Sequence, residues 1–130
     1  VSGHWDKLVR DADRRTDYFM AVQNGSGAAG MDFRYPDPKP TLFLAANAVA
    51  TYLCADSRHA GSAAVLDAVE AGIAYAAGVQ NPDGTFDYTP CNFKSPPDTA
   101  FIVNRIVVAR DLIARSISPA AEAAVAGPAA

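Results

Sequence analysis

Apolar positions along this chain fall into four stretches, and their spacing separates two kinds of helix. In Ala63–Val79 the residues Val65, Leu66, Val69, Ile73 and Ala76 share a helical period while Asp67 and Glu70 sit on other faces, which predicts a helix with one apolar stripe. Trp5–Val22 carries the same pattern through Trp5, Leu8, Val9, Ala12, Phe19 and Val22, with Asp11, Asp13, Arg14 and Arg15 outside the stripe. Leu42–Leu53 and Ala100–Ile113 are apolar nearly all the way round, and such helices must be covered on more than one side. The pattern reads as outer helix, inner helix, and the same again.

Helix starts support this division. Ser95-Pro96-Pro97-Asp98 offers an N-cap serine, a proline at the first helical position and a carboxylate at the third, where it suits both a capping box and the helix dipole. Asp37-Pro38-Lys39-Pro40 stands at the equivalent place in the first half, so the inner helices are expected near Pro38–Leu53 and Pro96–Ile113. The chain also repeats in words, since Val22-Gln23-Asn24 returns as Val79-Gln80-Asn81 after about 57 residues. Self-similarity at a fixed period is the mark of units that stack because none buries its apolar face alone. The expected fold is all-α: two tandem antiparallel helical hairpins within one domain, with units at about 4–60 and 61–117 and essentially no sheet. Ser118–Ala130 reads as a tail or as the opening of a further repeat. Each outer helix reaches its inner partner through a loop of roughly 15 residues, a length that is uncommon unless the loop is functional.

Composition narrows the partners. A net charge of -3 with scattered Lys and Arg lacks the basic stripe of a nucleic-acid binder. No apolar run approaches the roughly 20 residues of a membrane span, because Arg105, Arg110 and Asp111 interrupt the most hydrophobic segment. The expectation is a soluble protein with neither nucleic acid nor membrane as partner, in the cytoplasm or secreted. Cys54, Cys91, His4 and His59 supply no recognisable zinc pattern, and no metal or cofactor is expected.

Gly72-Ile73-Ala74-Tyr75, followed by Gln80-Asn81-Pro82-Asp83-Gly84-Thr85-Phe86-Asp87, resembles the Gln-to-Gly-to-aromatic turn of α/α toroid proteins, in which hairpins of an outer and an inner helix close into a ring. The wording through Asn92-Phe93-Lys94-Ser95-Pro96-Pro97-Asp98-Thr99-Ala100-Phe101 looks most like the glycan-processing members, the heparinase II/III-like lyases and the unsaturated glucuronyl hydrolases. Terpene cyclases share the turn, but their Asp-x-Asp-Asp acid is not seen here; protein prenyltransferases share the architecture without their zinc set being evident. The resemblance implies a fragment of a glycoside hydrolase or polysaccharide lyase acting on an acidic glycan, because such rings hold about six hairpins and this chain holds two. The flanks of its inner helices would then be covered by the remaining repeats of a longer chain or by self-association. A helical-repeat scaffold or interaction module without chemistry, or a terpene-cyclase-like toroid, is the alternative.

The resemblance sets inner-helix N-termini toward a central cavity. Asp98 is therefore the candidate catalytic carboxylate, although capping alone also explains an aspartate there. Asn92 and Lys94 in the preceding loop are candidates for holding sugar hydroxyls or a carboxylate, Tyr88 and Phe93 for stacking on a pyranose, and Asp87 for a further polar contact. In the first unit's loop, beside Tyr35 and Lys39, Asp32 and Arg34 are the corresponding candidates, with the planar Arg34 fork suited to an anionic sugar. Asn104 and Arg105, a turn into the inner helix, need partners or a polar cavity.

Overall fold

The computed structural model describes residues 2–30, 35–88 and 92–117. It contains α1 (Ser2–Val22), α2 (Pro38–Leu53), α3 (Ala63–Val79), a short antiparallel ribbon of β1 (Phe86–Tyr88) and β2 (Asn92–Ser95), and α4 (Pro96–Ile117). The four helices fall where hydrophobic periodicity and capping place them. Asp37 caps α2 by accepting from the Lys39 N–H at 2.8 Å, with Pro38 at the first helical position, and Ser62 caps α3 through the Val65 N–H. The ribbon is the small exception to an expectation of essentially no sheet. Phe-Asp-Tyr and Asn-Phe-Lys supply β-formers on either side of the second loop, and Phe86 pairs with Ser95 across it.

Helix α2 is the element on which the others rest, packing against α1, α3 and α4. Its Leu44, Ala45, Ala48 and Val49 form the main core with Phe19 and Ala29 of the first unit and Val65, Ala68 and Val69 of α3. A smaller core gathers Leu42, Ala76, Phe86 and Ile102.

The sequence repeat is also a repeat of hydrogen bonds. Gln23 Nε2 donates to the Gly27 carbonyl at 3.0 Å, and Gln80 Nε2 to the Gly84 carbonyl at 2.8 Å. The Asn24 N–H donates to the Ala28 carbonyl and the Gly27 N–H to the Asn24 carbonyl; Asn81, Thr85 and Gly84 repeat both bonds. The Thr41 hydroxyl accepts from the Ala29 N–H at 2.8 Å and donates to the Asp37 carbonyl at 2.7 Å, while Thr99 accepts from Phe86 at 2.8 Å and donates to Ser95 at 2.6 Å. Gly27 and Gly84 both take positive φ, 90° and 85°. Each long loop is thus a folded turn that leaves the outer helix, is pinned by a Gln amide, and is tied to the next inner helix by a threonine.

Burial departs from the periodicity in three places. On α1, Asp13 and Thr16 are buried while Trp5 and Leu8 stay half exposed. Asp13 tolerates burial because the Ser57 hydroxyl donates to it at 2.5 Å and the Arg58 N–H at 3.3 Å, and Thr16 meets Thr51 at 2.8 Å. On α3 the buried stripe runs through Val65, Ala68, Val69, Gly72 and Ala76, with Leu66 and Ile73 turned outward. On α4, only Ile102 is fully buried among the large apolar residues described, and Phe101, Val103, Ile106, Val107 and Val108 are exposed. Ser118–Ala130 lies outside the described residues.

The two glycines offer a direct comparison. A Cβ on Gly27 would stand 2.2 Å from the Ala71 carbonyl oxygen, whereas one on Gly84 would meet nothing nearer than the Gln80 amide at 4.0 Å. Gly84→Ala should therefore cost only the positive-φ strain, about 1 kcal/mol, and Gly27→Ala should add a backbone clash for about 3 kcal/mol in all. Equilibrium denaturation of the two variants checks the ordering.

Candidate functional site

Both long loops open at the end of the bundle where α2 and α4 begin, and the polar residues there converge on Asp98. The carboxylate is 14% exposed and both of its oxygens are engaged. Oδ1 accepts from Lys39 Nζ at 2.8 Å and Oδ2 from the Ser95 hydroxyl at 2.5 Å. Ser95 itself is buried, and its Oγ also accepts from the Asp98 N–H at 3.3 Å and from Asn92 Nδ2 at 3.0 Å. The Lys39 bond foremost, and then that of Ser95, hold the Asp98 pKa below the ordinary carboxylate value. Lys39 comes from the first turn of α2, so the ion pair ties the first unit to the second. Its ammonium also lies 4.9 Å from the Phe101 ring centroid and 5.9 Å from that of Tyr88.

The other candidates divide into those spent on the ribbon and those left in solvent. Asp87 accepts from the Lys94 N–H at 2.8 Å and from Asn81 Nδ2 at 2.9 Å, and these bonds lower its pKa. Lys94 takes a positive φ of 51°, uncommon for a residue with a side chain, and its ammonium pairs with Asp83 at 3.5 Å. The Asp87 carboxylate fixes that irregular step in the ribbon, where the register shifts between Phe86 and Tyr88. Phe93 projects into solvent at 74% exposure. Asn104 and Arg105 are exposed and need no polar cavity, because the flank of α4 that carries them is uncovered; the Arg105 guanidinium lies 4.7 Å from the Phe43 ring centroid. Asp32 and Arg34 lie outside the described residues.

A cavity of about 200 Å³ lies at the opposite end, lined by Trp5, Leu8, Val9, Ala12, Ala50, Thr51, Cys54 and Ser57. It is apolar and holds none of the candidates. Among the described residues no three of His, Cys, Asp and Glu gather as metal ligands, and no helix is long and apolar enough to cross a membrane. Comparison with protein-family models, with curated proteins and with solved structures finds no match to this chain.

Sequence reasoning missed Lys39 as the partner of Asp98. The signal was present, since a lysine at the second position of a helix opposes the helix dipole and calls for an anion nearby. The pair should behave as a coupled unit. Combining Lys39→Met with Asp98→Asn should cost less stability than the two single losses added together, by about 1 kcal/mol. Because the folded pKa of Asp98 is depressed, its contribution is present above the unfolded value of about 4 and is lost as pH falls through the lower folded value. The stability gap between the wild type and Asp98→Asn, followed by denaturation from pH 7 to pH 2, should close over that acid range.

Proposed function

We propose that this chain is a section of a helical-hairpin repeat protein in which the described polar residues at the loop end serve chiefly to lock one unit to the next. The observation that carries this reading is the full engagement of Asp98. A carboxylate bonded on one oxygen by Lys39 and on the other by Ser95, with its pKa lowered, is held as an anion; a general acid near neutral pH needs the opposite shift. Asp87, Asn92 and Lys94 are likewise occupied in holding the ribbon and the start of α4. Repeat arrays present such ends as binding surfaces.

A glycan-binding reading of the same end rests on a separate feature. Phe93 exposes an aromatic face on the ribbon and Phe101 one on the first turns of α4, where the Lys39 ammonium lies over both Phe101 and Tyr88. Aromatic faces beside a lysine suit a pyranose that carries a carboxylate. In this reading the chain contributes part of the sugar platform of a carbohydrate-active α/α toroid, acting on an acidic oligosaccharide or polysaccharide.

Titration of the chain with a uronic-acid oligosaccharide, followed by aromatic NMR shifts, separates the two. Saturable shifts of Phe93, Phe101 and Tyr88, weakened at least ten-fold by Phe93→Ala, would establish the platform. An unchanged spectrum at millimolar sugar, together with destabilisation by Asp98→Asn, leaves the lock as the role of this end.

A further inference from the structure

The two units are wired alike but are not equally covered. In the first, Ala45, Ala48 and Val49 are 3%, 0% and 4% exposed, because Val65, Ala68 and Val69 of α3 lie on them. Their counterparts on α4, Val103, Ile106 and Val107, are 45%, 44% and 46% exposed. The base of the second core is in place, since Ala76, Phe86 and Ile102 are buried together as Phe19, Ala29 and Leu44 are in the first, while α3 does not pack along α4 as α1 packs along α2.

The turns show the same asymmetry. Gln23 Nε2 makes two bonds, to its own turn at Gly27 and across to the Ala68 carbonyl of α3 at 2.8 Å, and Gly27 is buried against the backbone of Ala71. Gln80 makes the first of these bonds, and Gly84 lies exposed with open space where Ala71 stands in the first unit. We infer that the face formed by Gln80, Gly84, Val103, Ile106 and Val107 is a socket for one further outer helix with the residue pattern of α3.

That pattern is demanding. The docked helix needs a small residue at the place of Ala68, a close backbone approach at Ala71, and no side chain at Gly72, where a Cβ would already stand 3.2 Å from Thr41 Cγ2 and 3.4 Å from the Phe19 ring. Helix α1 does not meet it. Counted back by the repeat, Ala68, Ala71 and Gly72 correspond to Asp11, Arg14 and Arg15, of which Asp11 and Arg14 pair with each other. Three charged side chains in those places keep α1 from fitting the socket. A second copy of the chain therefore does not fill the socket through its own α1.

The test uses the full 130-residue chain and two peptides, one spanning Gly61–Gln80 and one spanning Ser2–Val22. The α3 peptide should bind saturably with a stoichiometry of about one, as a single socket requires, and should slow hydrogen exchange at Val103–Val107. The α1 peptide should not bind. Val107→Asp, with folding of the variant checked by its helical circular dichroism, should weaken the α3 peptide at least ten-fold, and Gln80→Ala should weaken it several-fold. No binding of the α3 peptide, equal binding of both peptides, self-association that protects Val103–Val107, or protection of those residues before any peptide is added would each overturn the inference. The inference rests on the repeat reading, but a failed peptide experiment would leave the Lys39–Asp98 coupling untouched, so the two can fail separately.

Discussion

The arrangement of this chain depends on one side-chain amide placed between two carbonyl oxygens. Gln23 Nε2 bonds its own turn at Gly27 and the α3 backbone at Ala68, which fixes both the shape of the first loop and the distance at which the second unit stands. The approach is close enough that Gly27 must lack a side chain. A neutral amide suits the task, because its two N–H groups point outward from one nitrogen and neither acceptor has to lose its own helical or turn bond. Once α3 is held there, Val65, Ala68 and Val69 are delivered onto α2, and the main core closes.

A second fastening acts at the loop end. Lys39 reaches from α2 to Asp98 of α4, and its ammonium lies over the Phe101 and Tyr88 rings. The amide sets how the outer helix of the second unit meets the first, and the ion pair sets how its inner helix does. Between them they leave the far flank of α4 exposed among the described residues. The polar seam of α1, in which Asp13, Thr16, Thr51 and Ser57 satisfy one another, belongs to the opposite end.

Much of the fold was legible in the sequence, because its signals are local. Periodicity placed the four helices, proline and cap residues marked the starts of α2 and α4, and the doubled Val-Gln-Asn marked the repeated turn. What could not be read depends on contacts between distant residues. Asp13 looks like a surface charge until Ser57 and Arg58 are brought beside it, and the stripe on α3 shifts from Leu66 and Ile73 to Ala68 and Gly72 because α2 demands close approach. The ribbon was hidden in a loop whose β-formers are too few to signal a strand alone. At the candidate site Asp98 was found by position, but its chemistry was set by Lys39, 59 residues away in sequence. The resemblance to α/α toroid proteins directed attention to that end, and the geometry there is of residues already committed to one another.

The claim that the Gln23 amide sets the docking of the two units is tested most directly by Gln23→Glu, which keeps the shape and replaces the donor with a carboxylate facing two carbonyl oxygens. Its unfolding free energy, measured against the wild type across pH, should be lower by about 3 kcal/mol at pH 7. The deficit should narrow as pH falls, since a carboxyl in that place has a raised folded pKa and regains one donor on protonation. A Gln23→Glu chain as stable as the wild type at neutral pH, or one whose deficit does not change with pH, would contradict the account.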